Sequence, residues 1–178
     1  MIQHMLKGIL SLILIITLYP FSHGLQGKLI HEDSLSLALQ NLNDSSRISE
    51  LLRLWWEHRN AAPEISIKYG NEAIDLAAQN NDFISLAKAY SFVGVAYRIM
   101  GKYSQSVDYY YKGLEVSVKH DIPEQAGYSY LNLANLYVYQ GLSTLASENL
   151  KKAEIIAREL DCKPMLAYAS MYDGRIYS

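Results

Sequence analysis

Five histidines, one cysteine, fifteen tyrosines and eighteen carboxylates are the residues of this chain that could carry chemistry. Metal ligation and general base catalysis need such groups at short fixed spacings, above all two histidines at i and i+4 on one helix face. His4, His23, His31, His58 and His120 are scattered and make no such pair. There is no Gly-rich phosphate loop, no Cys pair and no Ser nucleophile elbow. Glu154 and Glu159 read as solvated helix surface. Cys162 stands alone, so it forms no internal disulfide and reads as a small, half-buried residue at a helix end. The expectation is a chain with no catalytic residues, no metal site and no cofactor: not an enzyme.

Sixteen Lys and Arg stand against eighteen Asp and Glu, with no basic run, which speaks against nucleic acid as a partner. Residues 1–24 read as a secretory signal peptide: Lys7, an apolar run from Ile9 to Tyr19, Pro20, then Ser22 and Gly24 before a cleavage site. The run is too short to span a bilayer, which takes about 20 residues. An uncleaved signal anchor is the alternative. Without Lys7 the chain carries 15 basic and 18 acidic side chains, a net charge of −3. The expected location is periplasmic, or the extracytoplasmic face of the inner membrane.

The stretch that could position a site is periodic. A shift of 40 residues carries Tyr90 onto Tyr130, Gly94 onto Ala134, Tyr97 onto Tyr137 and Gly101 onto Gly141. A second shift carries Ala134 onto Gly174 and Tyr137 onto Tyr177. A period in this range marks stacked helical repeats. The spacing predicts helices at 84–100, 104–120, 124–140 and 144–160, with a last one from Met165 and a looser first pair opening at Arg47 and Pro63. Residues 25–46 form a linker with a capping helix at 32–42, and Asn43-Asp44-Ser45-Ser46 a turn. The repeats then run 47–82, 83–122 and 123–163, with a partial one at 164–178.

These residues resemble the tetratricopeptide repeat, or TPR, which pairs two antiparallel helices. The family has small residues at positions 8, 20 and 27 and large ones at 4, 11, 17 and 24. In one repeat these are Tyr90, Gly94, Tyr97, Tyr103, Ser106, Tyr110 and Gly113; in the next, Tyr130, Ala134, Tyr137, Ser143, Ala146, Leu150 and Ala153. The period of 40 exceeds the family's 34, and the consensus proline is missing. In the first repeat Trp55 occupies a small-residue position and His58 stands where Tyr would. The resemblance implies an all-α, TPR-like solenoid of about three repeats plus the first helix of a fourth.

It also implies a concave groove lined by the first helix of each repeat. The carried-over positions are Lys88, Ser91, Val95 and Arg98, then Tyr128, Leu131, Asn132, Asn135 and Tyr139, then Met171 and Arg175. Such a surface suits a protein or peptide partner; the alternative for each tyrosine is packing against its neighbour helix. Asn135 and Asn132 match positions of the family's carboxylate clamp, but its lysines are absent, so that activity is not implied.

Leu54 to Glu64 resembles the opening repeat of exported TPR segments in bacterial envelope signalling proteins. The implied function is the sensory or scaffolding part of a signal-transduction protein. Because the chain stops inside a fourth repeat, leaving Leu166, Ala169 and Ile176 partly uncovered, it is expected to be a fragment with a membrane span beyond it. The alternative is a free-standing periplasmic adaptor, with self-association through its last helix.

Overall fold

The computed structural model describes residues 37–176. The signal segment, Tyr177 and residues 32–36 of the expected capping helix lie outside these residues. The chain divides into two units, Met1–Asn43 and Asp44–Ser178. In the first, residues 37–40 are helical and lead into a turn. The second is an all-α solenoid of seven helices: α1 (Asp44–His58), α2 (Pro63–Gln79), α3 (Phe83–Ile99), α4 (Tyr103–Lys119), α5 (Pro123–Tyr139), α6 (Ser143–Glu159) and α7 (Lys163–Ile176).

Helices α2 to α6 are each 17 residues long. Three-residue linkers separate them, which gives the 40-residue repeat a half-period of 20. The middle residue of every linker lies in the left-handed region: Asn81 (φ 55°), Gly101 (71°), Asp121 (53°), Gly141 (71°) and Asp161 (49°). Gly enters this region freely and Asn and Asp tolerate it. The residue after it then donates its N–H back across the helix end, as Lys102 does to the Tyr97 carbonyl (2.9 Å) and Cys162 to Ala157 (2.8 Å). Gly101 bonds Arg98 (3.0 Å), completing a Schellman end. Pro63 and Pro123 open α2 and α5, where a missing N–H costs nothing, and the Asp82 side chain caps α3 by accepting from the Ser85 N–H (3.1 Å).

Two expectations change here. Asp44, Ser45 and Ser46 belong to α1 instead of a turn, with Asp44 in the first turn, where a carboxylate complements the exposed N–H groups. Ala169 is buried instead of partly uncovered, because α7 packs on both α5 and α6; Leu166 and Ile176 are half-buried.

Each helix packs on its neighbours in sequence. The first helices also touch one another, α1 with α3, α3 with α5 and α5 with α7, whereas α2, α4 and α6 do not. The stack therefore curves, with α1, α3, α5 and α7 on its inner side. Close approach within a pair depends on small residues. Ser106, fully buried, donates to the Gly94 carbonyl (2.8 Å), and a Cβ on Gly113 would come within 3.0 Å of the Ala87 carbonyl.

The misfit of Trp55 resolves in the packing. In the second pair Gly94 faces the ring of Tyr110; in the third, Ala134 and Leu150 hold the equivalent places. In the first pair the sizes are exchanged: Trp55 is large and its counterpart is Gly70, where a Cβ would lie 3.3 Å from the indole. Interiors pack at near-crystal density, so volume lost on one helix must be regained on the other.

Candidate partner-binding groove

On the inner side, side chains spaced three and four residues apart fall in line along each first helix. They enclose a hollow of about 530 Å³. α1 and its end supply Trp55, Trp56, Arg59 and Asn60. From α3 come Lys88, Ser91, Phe92, Val95, Arg98 and Ile99. Tyr128, Leu131, Asn132 and Asn135 of α5 face them, with Glu124 and Gln125 at its start, and α7 adds Tyr168 and Tyr172.

Eight of the eleven residues expected in the groove line this hollow: Lys88, Ser91, Val95, Arg98, Tyr128, Leu131, Asn132 and Asn135. Ser91, Leu131 and Asn135 are buried and form its floor, with Ser91 Oγ 3.3 Å from Ser129 Oγ. The other three stand outside the hollow. Tyr139 is half exposed beneath two guanidiniums, those of Arg98 (5.1 Å from the ring centroid) and Arg175 (4.8 Å). Arg175 also donates to Asn135 Oδ1 (3.0 Å), so Tyr139 and Arg175 extend the groove as a rim. Met171 is exposed on α7 and is not part of the groove wall.

Trp56, Arg59 and Phe92 were not anticipated. The Arg59 guanidinium lies 3.4 Å over the exposed Trp56 ring and donates to the Trp56 carbonyl, and Phe92 stacks on Trp55 at 4.2 Å. The signal for them was present: Trp56 and Arg59 are three apart, and Phe92 is four from Lys88. With Trp55 at the family's small position 8, Trp56 and Arg59 fall at positions 9 and 12, those of Val95 and Arg98 in the next repeat.

The hollow is cationic in a chain of net charge −2. Arg59, Lys88 and Arg98 face a single carboxylate, Glu124. The ion pairs among the described residues, Arg47–Glu72 and Arg53 with Glu50 and Glu57, involve none of these cations. Each rests on a ring instead, Lys88 on Phe92 at 5.5 Å. The Trp55 indole N–H and the Arg98 Nε–H are buried without an acceptor. The Tyr139 phenol is lowered by its hydrogen bond to Arg175 and by the charge of Arg98. Burial raises that of Tyr172.

A hollow of about 760 Å³ lies along the linkers, between 81–84, 120–124 and 160–162. It is built from the same turn repeated three times, and its aromatic wall is Phe83 stacked on His120 at 3.4 Å. No group of three or more His, Cys, Asp or Glu side chains among the described residues is placed to hold a metal. Cys162 is half-buried as expected. No helix among the described residues is long and apolar enough to cross a membrane.

Burial holds the phenols of Tyr128 and Tyr137 up to about 12, with Cys162 adding to the first and Tyr111 to the second. Above the ordinary value of 10.0, the folded chain keeps protons that the unfolded chain has released. Unfolding then releases protons, so this stabilisation is complete below about pH 10 and is lost as pH rises towards 12. Urea midpoints followed by circular dichroism are expected to fall between about pH 9.5 and 11.5, and less steeply in Tyr128→Phe.

No protein-family model matches this chain, and no curated protein matches it.

Proposed function

We propose that the chain is a TPR-like protein-interaction module that holds an extended peptide in the inner groove. The observation that supports this is the convergence of aromatic, amide and cationic side chains from four successive first helices on one hollow. Planar aromatics contribute contact area at low entropic cost, and the half-buried side chain of Asn132, which lines the hollow, offers a donor and an acceptor to a peptide backbone. The leader-like residues 1–24 and the Leu54–Glu64 resemblance support an exported module, the sensory or scaffolding part of an envelope signalling protein. A free-standing adaptor would use the same groove.

The test is selection of a displayed ten-residue random peptide library on the folded chain. Selected peptides are expected to bind at least tenfold more weakly to Trp56→Ser and Tyr128→Ser at unchanged helical circular dichroism. If both variants bind them as well as the parent, the groove is not the site.

A further inference from the structure

Resting on that reading, we infer that the peptide the groove accepts is acidic, with side-chain carboxylates placed among Arg59, Lys88 and Arg98. A groove cation normally finds its counter-charge on a neighbouring helix. Here the one lining carboxylate, Glu124, makes no ion pair, and the three cations are held against Trp56, Phe92 and Tyr139. Arg59 gives one N–H to the Trp56 carbonyl, and a guanidinium stacked on a ring keeps its remaining in-plane N–H groups for a carboxylate. The positive potential sits in a chain whose total charge is negative, so it is a local feature.

The span of the groove, more than its volume, favours a peptide over a small anion. Four first helices line it. At about 8–10 Å between packed axes, three steps span roughly 24–30 Å. An extended chain at about 3.3 Å per residue needs roughly eight residues to cross that distance. The aromatic wall between the cations calls for apolar side chains between the acidic ones. Three cations within one hollow are too few, and too enclosed, for a nucleic-acid backbone.

The same library selection separates this inference from the reading it rests on. The selected pool is expected to be enriched in Asp and Glu. Its best binder, followed by fluorescence anisotropy, should weaken at least tenfold when its acids become Asn and Gln, and again on raising salt from about 50 to 300 mM. Lys88→Gln and Arg59→Gln, both at positions that are not buried, should each weaken it several-fold. Lys151→Gln on the outer surface of α6 should leave it unchanged. Peptides that bind the groove but show no acidic preference, or that ignore Lys88→Gln and Arg59→Gln, overturn the inference and leave the peptide-binding role standing. If no peptide is selected, both fall. A dimer in sedimentation that Lys88→Gln dissolves makes a second copy of the chain the occupant and also overturns it.

Discussion

Trp55→Ala is expected to destabilise the solenoid by about 3–5 kcal/mol, the usual range for removing a buried tryptophan. Trp55 is 1% exposed, and its ring is stacked on Phe92. The place facing it is Gly70, which has no side chain to fill the space that truncation leaves. In the second pair the ring of Tyr110 occupies the corresponding region; here both partners would be small. Against a total stability of roughly 5–15 kcal/mol, that is a large fraction. The loss should also be local, since in a stack of repeats each unit touches only its neighbours. Hydrogen exchange is expected to show α1 and α2 losing protection while α5 and α6 keep theirs. A midpoint within 2 °C of the parent's, or a uniform loss of protection, would contradict this account of the first pair.

Why Trp55 escaped a sequence reading explains what was legible. The 40-residue period is carried by residues that recur, and the helices at 83–99, 103–119, 123–139 and 143–159 lie one residue before their expected bounds. Gly101 and Gly141 advertise their turns. Asn81, Asp121 and Asp161 perform the same backbone task with a different residue type, and only the structure shows all five linkers to be equivalent. In the first pair the information is relational. Trp55 is acceptable because Gly70, fifteen residues on, is not large, and neither residue alone reveals the exchange. The groove shows the same division. Lys88, Ser91, Val95 and Arg98 follow from the phase of α3, and Tyr128 to Asn135 from that of α5. Trp56 and Arg59 hold the places of Val95 and Arg98, in a first repeat whose looser match left its groove positions unassigned. On α7 the phase carries over at Tyr168, which stands 40 residues after Tyr128 and lines the hollow, whereas Met171, 40 after Leu131, lies outside it.

The exchange of volumes makes a sharper test at the second pair. Gly94→Ala is expected to cost about 2 kcal/mol, although alanine is the better helix former by about 1 kcal/mol. Its Cβ would lie 2.6 Å from two ring carbons of Tyr110 and 3.2 Å from the Ser106 carbonyl oxygen. Tyr110 is fully buried between helices, so the ring cannot swing aside. The third pair shows how the fold accepts a Cβ at this position: Ala134 is fully buried, and Leu150 stands where Tyr110 would. Gly94→Ala combined with Tyr110→Leu recreates that pair. The double variant should therefore be more stable than the sum of the two single losses by about 1 kcal/mol or more. Gly174→Ala supplies the control, since it has the same place in the repeat but nothing within 4 Å, and should gain about 0.5–1 kcal/mol. Urea melts of the four variants decide the matter. Additivity within about 0.5 kcal/mol would mean that residues 94 and 110 do not share one volume, and the paired packing of the repeats would have to be abandoned.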